Sequence, residues 1–256
     1  MKKYLISLAK DSARRELFFS QPDTADFQVF DAINTMSLEW QELAQKYDLT
    51  KFEQRYQRKA TKGEVGCTFS HLGVYQQIIN DESITEHEYC LVCEDDALFN
   101  QGFQYTLDKL VQQDLRADII LVGQSKILSF EDPLLEIEFP TTFKQQMKPI
   151  DNTTYRLAYP YKNYYAGTVA YLIKKSSARK FLTTGALPFW LADDFILFEQ
   201  QWGLDILVVR PLMAIENPVL TSNLEGARAS QQQATFKKIL KYPLKKLLAI
   251  KRNAFN

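Results

Sequence analysis

The chain is poor in the residues that staple small secreted folds or break up regular structure. Of its 256 residues only 3 are Cys, 9 are Gly and 9 are Pro. Three cysteines do not make a disulfide framework, and so little Gly and Pro excludes a collagen-like or low-complexity chain. No apolar run reaches the roughly 18 to 20 residues of a membrane span. The apolar stretch at residues 4–9 is also shorter than the core of a secretory signal, so we expect a cytoplasmic protein.

What the chain does contain is a high apolar content and balanced charge. It is 46% hydrophobic, with 31 basic and 31 acidic side chains, which excludes disorder and allows a real core. The charges are unevenly placed, because residues 234–256 carry seven Lys or Arg and no acid. We therefore predict an acidic body at residues 1–225 and a basic amphipathic C-terminal tail at residues 226–256.

Short apolar runs alternate with stretches of helical spacing along the body. Strands are predicted at residues 4–8, 27–33, 89–93, 117–123, 168–173 and 204–209. Strand followed by helix, repeated, predicts a layered α/β fold with a mostly parallel central sheet. Residues 50–62 are expected to be a surface excursion, and residues 129–165, with four prolines, irregular hairpins or a flap.

Three consecutive acids, Glu94, Asp95 and Asp96, follow the apolar run at residues 89–93. Open α/β sheets bind ligands at the carboxyl ends of their strands. Strand alternation would put Glu94 and Asp96 on one face and Asp95 on the other. Carboxylates this close repel each other unless a cation lies among them, and oxygen ligands suit Mg²⁺ or Mn²⁺. The alternative is a solvated acidic turn.

A second dense stretch lies at residues 63–73. If it is helical, one stripe has almost no side chains: Gly63, Gly66, Ser70 and Gly73. A helix-interior Gly costs about 1 kcal/mol relative to Ala, so we expect a backbone or a ligand to approach closely. His71 either faces a ligand or is a hydrogen-bonded core histidine. Cys67 and His71 lack further zinc ligands at suitable spacing, and Cys90 and Cys93 are expected to be buried thiols on opposite faces of a strand.

Together these blocks resemble the family 25 glycosyltransferases, which comprise bacterial lipooligosaccharide galactosyltransferases and related collagen galactosyltransferases. The matching blocks are residues 5–8 with Arg14 and Arg15, 29–32, 63–67 with Ser70 and His71, 94–96, and a later Asp193. The similarity spans about residues 1–222. It implies a GT-A-like, nucleotide-sugar-binding fold, a UDP-sugar donor (most often UDP-galactose), a divalent cation and an inverting transfer onto a saccharide.

The resemblance also implies roles for individual residues. Glu94, Asp95 and Asp96 stand where the family has its acid motif, the counterpart of the metal-binding Asp-x-Asp of GT-A enzymes, so Asp96 and Glu94 are the expected ligands of Mn²⁺ or Mg²⁺. Contacts to the UDP-sugar are expected from Ser7, Leu8, Arg14, Asp31, Ala32, Gly63, Ser70, His71, Glu94 and Asp95.

An inverting transfer needs a base that takes the proton of the acceptor hydroxyl. Asp193 or Asp194 is expected to be that base, although this pair also suits the N-cap and first turn of a helix. Trp190 is expected to stack on a sugar face, and Tyr165 to line an acceptor groove. The alternative is that these rings pack under a long loop.

The tail alternates apolar and Lys positions at helical spacing, interrupted by Pro243. A basic amphipathic helix suits an anionic bilayer, which predicts a peripheral protein on the cytoplasmic face of a bacterial inner membrane with a lipid-linked saccharide acceptor. A helix packed on the acidic body is the alternative, and nucleic acid is not expected as a partner. Two other functions stay open: a non-catalytic membrane-peripheral protein that binds saccharide or nucleotide, and a metal-dependent phosphohydrolase.

Overall fold

The computed structural model describes residues 1–183, 185–220 and 231–255, with side chains from residue 239 onward in the last segment. The strands are β1 (Lys3–Ser7), β2 (Gln28–Asp31), β3 (Tyr89–Glu94), β4 (Ala97–Phe99), β5 (Ile119–Leu121), β6 (Gly123–Gln124), β7 (Lys148–Pro149), β8 (Arg156–Ala158), β9 (Ala170–Lys174), β10 (Ile206–Arg210) and β11 (Ala214–Glu216). The helices are α1 (Ser12–Phe19), α2 (Trp40–Ala44), α3 (Leu49–Tyr56), α4 (Lys62–Asn80), α5 (Phe103–Val111), α6 (Leu134–Glu138), α7 (Lys175–Leu182), α8 (Phe195–Trp202) and α9 (Gln231–Phe255).

Within the described residues the main sheet has eight strands in the order β2-β1-β3-β9-β5-β10-β8-β7. β1 pairs in parallel with β2 and β3, and β5 pairs in parallel with β10. β9 lies antiparallel between β3 and β5. For β9 to lie parallel to its neighbours, the chain would have to enter it from the amino edge of the sheet. The chain instead enters β9 from the carboxyl edge, so β9 runs in the opposite direction to β3 and β5. The α/β class is therefore confirmed, but the sheet is mixed, which makes it compatible with a GT-A-like fold.

The main sheet is covered on both faces, as the apolar strand sequences require. Cys90 lies in the cluster that includes α4, α7 and α8, and Cys93 lies in the cluster on the other face, with α5. This alternation confirms the prediction that the two thiols point to opposite sides. Burial raises the pKa of Cys90 to about 12 and that of Cys93 well above its usual range, so both thiols stay protonated and unreactive at neutral pH.

Three segments differ from the sequence prediction. The expected excursion at residues 50–62 contains α3, which is capped by the Asp48 side chain and buries Phe52 against Leu43 and Tyr47. Residues 129–165, expected to form irregular hairpins or a flap, do contain a hairpin, β7–β8, at the sheet edge, but they also contain the unpredicted helix α6. An unpredicted strand, β11, joins β4 and β6 in a second sheet, where the Asn217 backbone N–H donates to the Asp96 carbonyl at 2.7 Å.

Helix α9 docks on the body through its basic side chains. Lys246 pairs with Glu136 at 2.6 Å, and Arg252 pairs with Glu199 at 2.5 Å. The alternative of a helix packed on an acidic body is thus what the described residues adopt, while the predicted boundary at residue 226 lies outside them. Among the described helices, none combines the length and the apolar character needed to cross a bilayer.

Candidate functional site

Three neighbouring parallel strands end at the same edge of the main sheet. In the register of these strands Ser7 on β1 lies opposite Asp31 on β2, and Ile6 lies opposite Glu94 on β3. The Ala32 backbone N–H donates to the Ser7 carbonyl at 2.9 Å, which continues this register past β2. The topology thereby brings together residues that are far apart in sequence and that were predicted to form one site.

Asp95 is fixed between β1 and α1. The Ser7 hydroxyl donates to Asp95 Oδ2, and Arg14 Nε donates to Oδ1, both at 2.6 Å. Burial raises the pKa of Asp95, although these two bonds and the charge of Arg14 oppose the rise. Because both oxygens are engaged inside the protein, Asp95 shapes the acidic turn that follows β3.

Asp96 differs from Asp95 in having an unused oxygen. Its Oδ2 lies 3.2 Å from Arg14 Nη2, but Oδ1 is buried and has no hydrogen-bond partner among the described residues. Burial and the charge of Glu94 raise the pKa of Asp96 to about 7, against the opposing charge of Arg14. A buried carboxylate oxygen without a donor, next to other carboxylates, fits a divalent cation, which would replace the missing hydrogen bond and offset the repulsion.

Glu94 points away from Asp95, toward α4 and β9. The Thr168 hydroxyl donates to Glu94 Oε1, and Cys67 Sγ lies 3.6 Å from the same oxygen. His71 Nε2 is 3.3 Å from Oε1, and because a carboxylate only accepts hydrogen bonds, this nitrogen carries a proton. Burial acts to raise the pKa of Glu94. The hydrogen bond and charge of His71, together with the hydrogen bonds of Thr168 and Cys67, nevertheless hold this pKa below its usual range.

His71 is both buried and turned toward the site. Its Nδ1 lies 2.7 Å from the Tyr171 hydroxyl, so the ring is held between β9 and Glu94. The sulfur of Cys67, a ring nitrogen of His71 and an oxygen of Glu94 lie within 4.8 Å of one another. Sequence spacing on α4 alone could not reveal Glu94 as the third member of this group. The core-histidine alternative is thus the observed one, with the added role of orienting Glu94.

The stripe of small residues on α4 receives the backbone that leaves β2. A Cβ on Gly66 would lie 2.7 Å from the Ile33 carbonyl oxygen, and one on Gly73 would lie 2.4 Å from the Phe30 ring. Ser70 Oγ accepts from the Ile33 backbone N–H at 2.8 Å. The predicted close approach is therefore made by the protein itself, by the Ile33 backbone and Thr35 side chain at Gly66 and by the Phe30 ring at Gly73. Ser70 is engaged in it, and Gly63 lies half-buried in the first turn of α4.

Asp193 and Asp194, the two expected bases, have different surroundings. Asp194 is fully buried, caps α8 by accepting from the Leu197 N–H, and accepts from Arg55 Nε at 2.5 Å and from the Tyr56 hydroxyl at 2.6 Å. Asp193 accepts the Gly167 backbone N–H at 3.2 Å. Burial, with a smaller contribution from the charge of Glu94, raises the pKa of Asp193 to about 6.

The structure contradicts the acceptor role expected of Trp190. Its side chain is only 3% exposed, and its ring packs edge-on against Phe189 and Trp202 in the core. It cannot offer a face to a sugar, because the apolar core cluster that includes Phe181 and Phe198 buries the ring. Tyr165, in contrast, is exposed, and its pKa is raised by burial of its hydroxyl and by the charge of Asp194.

The remaining expected sugar-nucleotide contacts lie around α1. Arg15 Nη2 donates to Asp31 Oδ1 at 2.5 Å and to the Ser7 carbonyl at 2.8 Å. Leu8 is half-buried at the turn into α1, where its carbonyl accepts from the Asp11 N–H. The guanidinium groups of Arg14 and Arg15 are thus engaged by carboxylates of the site itself.

Two residues of the site were not predicted, Gly167 and Thr168. Gly167 donates to Asp193 and Thr168 donates to Glu94, so consecutive residues before β9 hold the two carboxylates. Gly167 has φ of +71°, a backbone conformation that favours glycine. In the sequence, the only sign of this part of the site is an isolated glycine between a tyrosine-rich segment and a predicted strand.

Fold and site together define a mixed α/β protein whose acidic residues gather at the carboxyl edge of the sheet, the edge at which open α/β sheets bind ligands. Comparison with known families agrees with this class. The model of glycosyltransferase family 25 (LPS biosynthesis protein) matches residues 1–197. Because that match covers more than half of the chain, the chain belongs to glycosyltransferase family 25.

Individual relatives are similar at modest identity. Lipooligosaccharide biosynthesis protein lex-1 of Haemophilus influenzae is 25% identical over 209 residues, 77% of this chain and 64% of that protein. Human procollagen galactosyltransferase 2 is 29% identical over 136 residues, 52% of this chain and 18% of that protein. The bovine "probable inactive glycosyltransferase 25 family member 3" is 26% identical over 175 residues, which are 61% of this chain and 26% of that protein. The matched part spans less than two thirds of each relative.

One solved structure aligns over most of the chain. The inositol-1-phosphate CTP transferase from T. maritima is 15% identical, with 87% of this chain and 92% of that chain covered and a TM-score of 0.35. A likeness this weak carries no argument about fold or function.

Proposed function

We propose that this chain transfers a hexose from a UDP-sugar to a saccharide acceptor with inversion at the anomeric carbon. Membership of glycosyltransferase family 25 supports the transferase class. The name of the human relative supports galactose as the sugar, and the name of lex-1 supports a lipooligosaccharide or lipopolysaccharide acceptor.

The observation that carries the proposal is the buried, unpartnered Oδ1 of Asp96 at the edge where β1, β2 and β3 end. Asp96 and Glu94 would hold Mn²⁺ or Mg²⁺, ions that prefer carboxylate oxygens as ligands. When bound, the ion offsets the negative charge that collects on the diphosphate as the sugar leaves. Asp95, fixed by Ser7 and Arg14, keeps the acidic turn in place.

The nucleotide would lie over the ends of β1 and β2. Ser7, Leu8, Asp31 and Ala32 form this end of the sheet, and Arg15 bridges Ser7 and Asp31. Arg14 already contacts Asp95 and Asp96, so in this proposal it contributes by fixing the acidic turn and by balancing its charge.

Asp193 is the proposed base. It differs from Asp194 in that no cap and no arginine occupies its oxygens in the described contacts, and its raised pKa suits proton transfer near neutral pH. Asp193 takes the proton of the acceptor hydroxyl while that oxygen bonds to the anomeric carbon. The anomeric C–O bond to UDP breaks on the opposite face, and its electron pair leaves with the diphosphate.

The test is release of UDP from a panel of UDP-sugars with and without Mn²⁺. UDP should be released with at least one of them only in the presence of the cation, and Asp96→Asn should lower the rate at least 100-fold. The exposed Asp151→Asn is the matched control and should retain the wild-type rate. Metal-independent turnover, or full activity of Asp96→Asn, would contradict the proposal.

Two other functions give different results in the same assay. One relative carries a name marking it as probably inactive, and a non-catalytic binding protein would bind a UDP-sugar without releasing UDP. A phosphohydrolase would release inorganic phosphate and leave no new glycoside. Mass analysis of the products separates all three.

We also propose a peripheral location on the cytoplasmic face of a bacterial inner membrane, held by α9. The basic side chains Lys245, Lys246 and Arg252 face the body, where they contact Glu138, Glu136 and Glu199. The outer face carries exposed apolar side chains: Ile239, Leu240, Leu244, Leu247, Leu248 and Phe255. Exposed Lys241 and Lys251 flank them. This outer face suits an anionic bilayer, whereas the same face of a second copy would bring like charges together.

A further inference from the structure

Several buried polar atoms around Tyr164 have no hydrogen-bond partner in the described part of the chain. They belong to Gln124, Thr141, Arg156, Asn163 and Arg210. Gln124 is 2% exposed, Asn163 is 3% exposed and Thr141 is fully buried. Buried polar groups are normally paired, so each orphan atom needs an explanation. Each of these five residues therefore needs a partner for its orphan atom.

The contacts of Tyr164 bring two of these residues, Gln124 and Arg210, together. Its hydroxyl donates to Gln124 Oε1 at 3.2 Å and accepts from Arg210 Nη2 at 3.1 Å. Its ring lies 4.3 Å from that of Phe139, two residues before Thr141. We use the name Tyr164 pocket for the group formed by Gln124, Tyr164 and Arg210, with Asn163 next to Tyr164 in the chain and Arg156 opposite Arg210 in the strand pairing.

The charge of this pocket is the more telling feature. Arg156 on β8 lies directly opposite Arg210 on β10, so the two side chains leave the same face of the sheet. Like charges directly opposite each other are destabilising. Among the described residues neither arginine has an ion pair, Arg156 makes no side-chain hydrogen bond, and the Nε of each is buried without a partner. Water could satisfy the amides, whereas two half-buried guanidinium groups that face each other also favour an anion as a counter-charge.

The pocket adjoins the proposed base. Gln124 is followed by Ser125, whose backbone N–H donates to the Ala166 carbonyl at 2.8 Å. Ser125 also lies against Gly167, where an added Cβ would come 2.5 Å from its Oγ. Gly167 donates to Asp193. A ligand held at Arg210 and Gln124 would therefore extend toward the carboxylate that is proposed to activate the acceptor.

We propose that the Tyr164 pocket binds an acidic saccharide, which makes an anionic sugar part of the acceptor. Arg156 and Arg210 bind its carboxylate or phosphate by charge-assisted hydrogen bonds, and the amides of Gln124 and Asn163 bind neighbouring hydroxyls. The role as acceptor site rests on the proposed glycosyl transfer, whereas the binding of an acidic sugar does not.

The test therefore measures binding to the whole protein, without UDP-sugar or turnover. Three probes are compared by isothermal titration calorimetry: D-glucuronate, D-glucose 6-phosphate and neutral D-glucose. We expect at least one acidic sugar to bind tenfold or more tightly than glucose, and the tighter one tells carboxylate from phosphate. Equal binding of all three, or no binding of either acidic sugar, would overturn the proposal.

Variants assign the binding to the pocket. Arg156→Gln and Arg210→Gln should each bring the affinity of the acidic sugar to within threefold of that of glucose, and Arg156→Lys should recover part of it. The exposed Arg116→Gln, at the opposite edge of the sheet, is the control and should bind like wild type. Wild-type affinity in both pocket variants would refute the site.

A measurement on the wild type alone covers the case in which the variants fold poorly. D-glucuronate should raise the melting temperature relative to acetate at equal ionic strength, because an anion that binds only the folded state stabilises it. The absence of such a difference would count against the pocket. If acidic sugars bind but no UDP-sugar is ever turned over, the binding site stands and the proposed transfer fails.

Discussion

Asp193 and Asp194 are adjacent in the chain, yet only Asp194 caps a helix. Asp194 accepts from the first turn of α8 and from Arg55 and Tyr56, while Asp193 accepts from Gly167 beside the acidic site. Asp194 therefore holds α8 to α3, whereas Asp193 makes neither the cap nor the arginine contact. The structural role falls on Asp194 and the proposed catalytic role on Asp193, a distinction that one sequence pattern could not make.

Asp193→Asn should lower the transfer rate by about 10²- to 10⁴-fold, the usual contribution of a general base, without lowering the melting temperature. Asp194→Ala should instead destabilise the protein by about 3 kcal/mol, because it removes the cap and leaves Arg55 and Tyr56 without their buried acceptor. Urea unfolding and UDP release, measured on both variants, check this pair. Loss of stability in Asp193→Asn with full activity would reverse the assignment.

The rate should also depend on pH through Asp193. A base must be deprotonated to act, and the pKa of Asp193 is raised to about 6 by burial. We expect kcat/KM to fall about tenfold per pH unit below about pH 6, and this acid limb to be absent from the residual activity of Asp193→Asn. A profile that is flat down to pH 5 would contradict the role.

The raised pKa of Asp193 also determines the direction in which the stability of the protein changes with pH. Because the native pKa lies above the ordinary value of 3.8, the folded state binds more protons than the unfolded state between those values. Its contribution to stability is therefore lost as pH rises from about 4 to about 6. The melting temperature of Asp193→Asn should exceed that of wild type by a margin that grows over this range and then stays constant.

Much of the α/β framework follows from local sequence. The runs at β1, β3 and β10 are apolar and short, and α4 has its capping box at Thr61 and Glu64, so these elements are specified by neighbours in the chain. The reversed direction of β9 is set by the path of the chain before it, which periodicity does not record. Likewise α3 has a charged, aromatic sequence, and only tertiary packing shows that Phe52 is buried.

The site residues that are consecutive in the sequence could be predicted, whereas those that only the fold brings together could not. Glu94 to Asp96 stand out as consecutive acids, whereas Thr168 and Gly167 are ordinary residues that matter because β9 starts beside β3. Trp190 shows the opposite error. An aromatic residue near two acids suggested a sugar platform, but the helices around it bury its ring.

Mn²⁺ with UDP should stabilise the protein. At 100 times the dissociation constant, ligand binding adds about 2.7 kcal/mol, which corresponds to a rise in melting temperature of roughly 5 to 10 °C for a domain of this size. Asp96→Asn should lose this rise, Asp151→Asn should keep it, and EDTA should abolish it in both wild type and control. An undiminished shift in Asp96→Asn would place the cation elsewhere.

Gly66→Ala should destabilise the protein by about 1 to 3 kcal/mol, because the new methyl group meets the fixed Ile33 carbonyl. Gly73→Ala is the matched comparison on the same helix. Its methyl group meets the outer atoms of the half-buried Phe30 ring, which can shift, and Ala gains about 1 kcal/mol of helix propensity. Its net effect should be near zero. Equal unfolding midpoints for the two variants would argue against the backbone approach at α4.

The outer face of α9 gives the last prediction. Vesicles containing phosphatidylglycerol should sediment the protein, and pure phosphatidylcholine vesicles should do so less, because Lys241 and Lys251 favour anionic lipid. The double variant Leu244→Gln with Leu247→Gln should bind at least tenfold more weakly, since burying one leucine contributes about 1.5 to 3 kcal/mol.

The matched control for α9 changes two apolar residues elsewhere that are even more exposed, Leu128→Gln with Val219→Gln, at 74% and 83%. It should bind vesicles like wild type. Because Lys245, Lys246 and Arg252 are paired with the body, high salt should weaken membrane binding without abolishing it. Binding that vanishes in salt but ignores the leucine changes would mean that charge alone attaches the protein. Concentration-dependent dimers that the leucine variant loses would instead make this face a contact between two copies of the chain.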